Sequence, residues 1–318
     1  MTQKEIAKTL NLSISTVSRA LKGSELISGE TTEKVRKLAN LTNYRPNPAA
    51  RNLLTGKTFT AGIVFPFDDF FYRDLACRIS SGLLKHDYMS LVLPCKTEEE
   101  FSEAIEKMLE RRVDGIISST VSMELGLKLK NEGLASIFYG NQAQPFDCVY
   151  VDKYKGGRIS TEYVIKQGHK KIGYIGFNYR DDREKAFVDV LNKKGITVNE
   201  KWISKGTVSL ENSSRAVSEI LSLRDKPTAF IAHNDIAAIA TIKSAVEKGF
   251  KVPDDIAVIG FNNIDISEYS NPPLTTIDQK INTISEELIN CFIHRMNSKD
   301  DDYRKVRIEP ELIIRRSC

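Results

Sequence analysis

Between Leu12 and Leu21 the segment LSISTVSRAL sets four hydroxyls, on Ser13, Ser15, Thr16 and Ser18, beside the guanidinium of Arg19. Serine and threonine are middling helix formers because their hydroxyls compete for backbone partners. A helix built only to pack would use Ala, Leu, Glu and Lys. Val17, Ala20 and Leu21 nevertheless recur at helical spacing, which leaves Ile14, Ser15, Ser18 and Arg19 on the opposite face. Small hydroxyls let such a face sit deep in a major groove and bond phosphates or base edges, while an arginine fork matches O6 and N7 of guanine. Ser13 can also cap the helix. Ile14 is either an ordinary exposed apolar residue or a contact for a thymine methyl.

Two further helices position that face. In QKEIAKTL, Ile6, Ala7 and Leu10 share one side, with Lys4 and Lys8 opposite. Asn11 suits a left-handed turn, and Gly23 ends the second helix. A third helix is expected in SGETTEKVRKLANLTNY, with Val35, Leu38 and Ala39 inward and Leu41 a further inward candidate. Three short helices, the first two joined by a tight turn, describe a helix-turn-helix. Charge agrees: residues 1–57 hold ten Lys and Arg against four Asp and Glu, a net of +6, within a chain of net +4. A basic head on a nearly neutral body is the footprint of a polyanion-binding module with a separate second function. In NPAARNLL, Pro48 can start about two helical turns. That stretch is either a linker or a segment that folds only against DNA or its symmetry mate, with Leu53 or Leu54 as a minor-groove wedge.

From Phe59 the periodicity changes. Strand-like runs at 60–65, 90–95, 115–119, 135–140, 148–152, 171–177, 228–234 and 256–263 alternate with amphipathic helical stretches. Alternation of this kind implies two parallel α/β halves, each Rossmann-like, whose ligand sits in a cleft beyond the carboxyl ends of the strands.

The run from Glu5 to Thr58 resembles the DNA-binding head and hinge of the lactose/galactose-repressor family of bacterial transcription regulators, most specifically at STVSRAL, NYRPN and AARNL. The body is similar too, at VDKYKGGRISTEYVIKQGHKKIGYIGF, HNDIAAIATIKSAVEKGFKVPDDIAVIGFNNI, SNPPLTTIDQ and IEPELIIRRSC, so the resemblance covers essentially residues 4–317. It implies an all-α helix-turn-helix head over 1–46, a hinge over 47–58 and a periplasmic-binding-protein-like body over 59–318. The body's first half would be 59–150 plus 276–303, and its second 151–275 plus 304–318. By resemblance, Ser13 and Thr16 hold phosphates, Ile14, Ser15 and Arg19 read bases, and Asn47 and Ala50 belong to the hinge helix. Leu53 is then the leucine that opens the central base step. In the cleft, Arg183, Asn234 and Asp235 match effector-site positions, and Phe70, Phe71 and Tyr72 lie where the first loop meets the effector. For at least one of those aromatics core packing is the stronger reading. Three departures bear on ligand chemistry: Asn262 replaces a common aspartate, Gly140-Asn141 stands where sugar binders often have Asp-Arg, and Val208 falls near a stacking aromatic.

No run of about 18 uncharged apolar residues suggests a membrane span, and the N-terminus does not resemble an export signal. The scattered odd cysteines, Cys77, Cys95, Cys148, Cys291 and Cys318, fit reduced thiols in a cytoplasm. No G-x-S-x-G, Walker or H-E-x-x-H motif is present, and His86, His169, His233 and His294 are dispersed, so no catalysis, cofactor or metal is expected. The expected molecule is a homodimeric regulator, with the sense of a repressor, that binds pseudo-palindromic operator DNA and responds to a carbohydrate-related small ligand. A protein co-regulator is the alternative controlling partner. A solute-binding protein shares the cleft but not the basic head.

Overall fold

The computed structural model describes residues 1–45, 52, 55–119, 123–140, 146–176, 181–206, 209–298 and 302–318. Asn47, Ala50 and Leu53 of the expected hinge helix, and Asn141 and Val208 of the expected effector site, lie outside them. The chain forms two compact units, Met1–Thr58 and Phe59–Cys318.

In the head, α1 spans Gln3–Leu10 and α2 spans Ile14–Leu21. A reciprocal pair starts α1: the Glu5 amide donates to Thr2 Oγ1 at 3.3 Å and the Thr2 amide to Glu5 Oε2 at 2.8 Å, a capping box. Asn11 closes α1 at φ 51°, in the left-handed region, and Ser13 caps α2 by accepting from the Thr16 amide at 3.0 Å. After α2, Gly23 turns at φ 71°, the conformation glycine adopts most easily. The third helix, α3, runs Gly29–Leu41 from a Ser28 cap. Ile6, Ala7, Val17, Ala20, Val35 and Ala39 form the small core. Leu41 does not join it: as the last residue of α3 it is 72% exposed.

The body holds two six-stranded sheets. The first has β1 (Thr60–Pro66), β2 (Met89–Cys95), β3 (Gly115–Ser119), β4 (Ala135–Tyr139) and β5 (Asp147–Val151). Between them run α4 (Phe70–Leu84), α5 (Glu98–Glu110) and α6 (Met123–Asn131). The second half opens with α7 (Lys153–Lys166), β6 (Ile172–Ile175) and α8 (Asp182–Lys193). It continues through β7 (Ile203–Ser204), α9 (Leu210–Leu221), β8 (Ala229–Ala232), α10 (Asp235–Glu247), β9 (Ala257–Asn262), α11 (Ile266–Tyr269) and β10 (Thr275–Asp278). Then α12 (Ile281–Asn297) and β11 (Lys305–Ile308) return to the first half, and β12 (Glu311–Ile313) to the second. The strand orders are β11-β5-β4-β3-β1-β2 and β12-β10-β9-β8-β6-β7. Among the described residues every pairing is parallel except β10 with β12.

These pairings correct the expected internal boundaries. β11 pairs with β5, Lys305 opposite Cys148, so it belongs to the first half and not the second. β10 pairs with β9, Thr275 opposite Ile259, so it belongs to the second. The chain therefore crosses between halves three times, and charged side chains link the crossings. Arg307 pairs with Asp152 and with Glu309 (2.9 Å), Lys155 with Glu309 (2.6 Å), and Lys280 with Glu311 (3.1 Å).

Candidate DNA-contacting face and effector cleft

On α2 the packing side is consumed by Val17 and Ala20, which are fully buried. The other side presents Ile14, 49% exposed, with exposed Ser13, Ser15 and Arg19 and half-buried Thr16 and Ser18. Ser13 Oγ lies 2.7 Å from Ser15 Oγ and 2.8 Å from Thr16 Oγ1, so the three hydroxyls form one cluster at the start of the helix. Capping fixes Ser13, and through it the rotamers of its neighbours. Each hydroxyl retains lone pairs or a proton for an outside partner. The Arg19 guanidinium has no hydrogen bond or ion pair among the described residues. A rigid helix thus offers an uncommitted guanidinium, small hydroxyls and one apolar side chain, a set that suits phosphates and base edges.

The body's candidate cleft is built differently. Arg183, in the first turn of α8, is 8% exposed. Its Nε donates to Asp181 Oδ2 at 2.7 Å, its Nη2 reaches the same carboxylate, and its Nη1 donates to the His233 carbonyl at 2.6 Å. The guanidinium also lies 5.0 Å from the centre of the Phe261 ring. Burial alone would raise the Asp181 pKa, but the Arg183 charge and hydrogen bonds outweigh it and hold the carboxyl below its usual range. The buried His233 ring is pushed well below the ordinary imidazole range by desolvation and then by Arg183, so it stays neutral.

Asn234 caps α10 by accepting from the Ala237 amide at 2.9 Å. It also hydrogen-bonds Asp69, the cap of α4, from the first half. Burial raises the Asp69 pKa despite that bond, the Phe71 amide and the charge of Arg183. A second link between halves runs through Gln279, which the sequence reading missed: Tyr139 donates to its Oε1 at 2.7 Å, and its Nε2 donates to Asn262 Oδ1 at 2.5 Å. Asn262 is 5% exposed and sits at φ 116°, with Asn263 following at φ 55°. Two successive non-glycine residues at positive φ mark stored backbone strain, which tends to gather at functional sites.

Two of the expected effector residues turn out to be internal supports. Asp235 is fully buried. Its Oδ2 accepts from the Ile264 amide at 2.8 Å and Ser267 Oγ at 2.7 Å, and its Oδ1 is bonded to Thr276. It therefore anchors the loop after β9 instead of facing a ligand. A Cβ on Gly260 would stand 2.2 Å from its Oδ1, so β9 needs glycine there. Phe71 is 2% exposed and packs in the first core, its ring 5.7 Å from that of Tyr139. Tyr72 is half-buried, stacked on Phe65 at 5.5 Å and edge-on to Tyr139 at 5.9 Å. Phe70, 45% exposed, faces outward under the Arg73 guanidinium at 3.9 Å.

Residues missed at the sequence level include Lys153. The signal available was the GlyGly pair one turn later: Cβ atoms there would meet the Phe261 ring at 2.7 Å (Gly156) and the Arg183 carbonyl at 2.6 Å (Gly157). Such close approach of α7 to α8 brings the first turn of α7 beside Arg183. The half-buried Lys153 ammonium is pushed down to about 8 by desolvation, then by Arg183, against the pull of Asp181, Asp182 and Asp69.

With this geometry in place, comparison with known proteins is direct. Residues 2–47 match the family of bacterial regulatory proteins, lacI family, and residues 161–318 match the periplasmic binding protein-like domain. The chain is 30% identical over 329 residues to the HTH-type transcriptional repressor PurR of Photobacterium profundum, covering 99% of this chain and 98% of that protein. Its fold matches the lac repressor dimer bound to operator and the anti-inducer ONPF, with TM-score 0.85 at 20% identity over 100% of this chain and 98% of that one. It also matches the transcriptional regulator CelR in complex with cellobiose, with TM-score 0.74 at 22% identity over the full length of both. Among the described residues no helix is long and apolar enough to cross a membrane. A basic head with an outward-facing hydroxyl and arginine surface, joined to a two-sheet ligand-binding body and related to a repressor over its whole length, makes this chain a DNA-binding transcriptional regulator belonging to the LacI family.

Proposed function

We propose that α2 is the recognition helix of a homodimeric repressor, and that a small ligand held between the two halves of the body sets its affinity for a pseudo-palindromic operator. The observation that carries the reading is the division of α2: one side fills the core, while Ile14, Ser15 and Arg19 stand exposed on the other. In the complex Ser13 and Thr16 hold phosphates, Ser18 lines the same face, and Ile14, Ser15 and Arg19 meet bases. Asn47, Ala50 and Leu53 complete the proposal as a hinge segment in the minor groove, with Leu53 as the wedge. The cell compartment is the cytoplasm, where operator DNA is found.

The ligand is carbohydrate-related. CelR, which shares the fold, is solved with cellobiose, and the cleft of this chain offers a guanidinium, amides and aromatic rings, groups that suit polyhydroxylated ligands. Contacts are assigned to Arg183, Asn234, Asn262, Tyr72 and Phe70, with Asn141 and Val208 from the neighbouring loops. Because Asn234 bonds Asp69 of the first half and Asn262 reaches Tyr139 through Gln279, a ligand that engages them replaces one set of cross-links with another, and so biases how the halves are set.

The test is a thermal-unfolding screen of the full chain against sugars and sugar derivatives, followed by operator binding with each hit. A ligand at about 100 times its Kd adds roughly 2.7 kcal/mol, and coupling of about 1–3 kcal/mol changes operator affinity about 5–150-fold. A ligand that stabilises the chain but leaves operator affinity untouched removes the regulatory reading. A stoichiometric protein recovered on the chain, with no stabilising ligand, selects the co-regulator alternative.

A further inference from the structure

Among the described residues Lys153 is a cation beside Arg183 whose ammonium has no partner of its own. It is the first residue of α7, and Gly156 and Gly157 share its helical face three and four positions on. Those two glycines are the points where α7 closes on Phe261 and on the backbone of Arg183. Helical Cβ vectors tilt toward the N-terminus, so the Lys153 stem runs from this contact toward the edge where β5 and β6 end and the caps of α7 and α8 lie. Of its carboxylate neighbours Asp182 is exposed to solvent, and the others are already engaged. Asp181 serves Arg183 and the amides of Arg183 and Glu184. Asp69 serves the Phe71 amide and Asn234. Asp152 caps α7 and pairs with Arg307. Among the described residues the Lys153 ammonium has neither a hydrogen bond nor an ion pair. A half-buried ammonium beside a second cation, with no partner of its own, is costly to keep charged.

From this arrangement we propose that the effector carries an anionic group, a phosphate or a carboxylate, which is bound by Lys153. The inference rests on the reading of the cleft as the effector site and narrows its ligand to acidic carbohydrates. Arg183, neutralised by Asp181, supplies orientation and hydrogen bonds; Lys153 supplies the charge that selects the anion. The carboxylates of Asp69, Asp181 and Asp182 disfavour an anion placed beside them, so the lysine also fixes which end of the ligand enters.

The experiment measures Kd and unfolding midpoint of the full chain with glucose, glucose 6-phosphate, glucuronate and inorganic phosphate, for the natural protein and for Lys153→Met and Lys153→Arg. The expected result is that at least one of the anions raises the midpoint by a few degrees where glucose does not. Lys153→Met weakens that anion about 10- to 100-fold, the scale of a lost charged hydrogen bond, and Lys153→Arg restores much of it. Binding by the phosphate probes alone identifies a phosphoryl group; binding by glucuronate alone identifies a carboxylate. Silence of all three anions, or equal binding by natural and Lys153→Met chains, overturns the proposal. A neutral sugar that stabilises the chain and shifts operator affinity while the anions stay silent overturns it and leaves the effector reading intact. An anion that needs Lys153 yet never alters operator affinity keeps the site and removes its regulatory role.

Discussion

In the head, Arg19 and Ile14 stand in solvent on a helix whose packing is complete without them; in the body, Arg183 and Asp235 are buried and bonded to several neighbours each. The two regions thus present binding groups in opposite ways. A rigid DNA duplex supplies its own geometry, so the head needs only an exposed, uncommitted set of donors at the right spacing. A small ligand is surrounded, and the groups that surround it are held in place by one another. Function in the head is separable from stability, whereas in the body the two share the same side chains.

The sharpest way to break that contrast is to remove one arginine from each region. Arg183→Ala leaves Asp181 buried without its partner and is expected to cost about 3–5 kcal/mol in urea unfolding of the body. Arg19→Ala is expected to stay within about 0.5 kcal/mol in the head, as for exposed substitutions generally. Comparable losses would erase the distinction. Next in size is Gly260→Ala, whose new methyl meets the Asp235 carboxylate; about 1–3 kcal/mol of overpacking is expected, read as a lowered midpoint with the head's transition unchanged. Ser13→Ala follows at about 1 kcal/mol for a lost N-cap. It sharpens the comparison because Ser13 belongs to the DNA-facing set and also caps α2, so both head stability and operator affinity fall.

The finest signal is a pH slope. Burial pushes the Asp235 carboxyl up to about 7 from an ordinary value of 3.8. Between those values the folded state binds a proton that the unfolded state has released, so this group makes stability fall as pH rises from about 4 to about 7. Asp235→Asn flattens that part of the profile, even though it also weakens the bonds to Ile264, Ser267 and Thr276. An unchanged slope, measured by unfolding across the window, would place the carboxylate in its charged form throughout.

The head was largely legible in the sequence because its signals are local. Asn11 in the left-handed turn, Ser13 as cap and the Val17–Ala20 stripe each depend on residues within one helical turn. Leu41 was not, since its exposure depends on where α3 stops relative to its neighbours. In the body, strands such as Gly115–Ser119 show as short β-rich runs. β11 and β12 are short and carry exposed charges, so their assignment to opposite halves comes only from pairing with distant strands. The site was least legible where partners lie far apart in sequence. Asp235 is held by residues 29–41 positions away, and Gln279 joins Tyr139, 140 positions before it, to Asn262. Nothing local distinguishes such an aspartate from one that faces a ligand. Lys153 at the start of a polar helix likewise reads as solvated until its approach to Arg183 is seen.

The most direct test of the account is the affinity of the full-length chain for a selected operator and for random duplex DNA, at one fixed salt concentration, before and after Arg19→Ala. The account predicts that operator affinity falls by about 1–3 kcal/mol with relaxed preference at one base pair, while random-DNA affinity changes far less and the unfolding midpoint stays in place. Unchanged operator affinity, or an equal loss on both DNAs, would contradict the placement of α2 as the helix that reads bases.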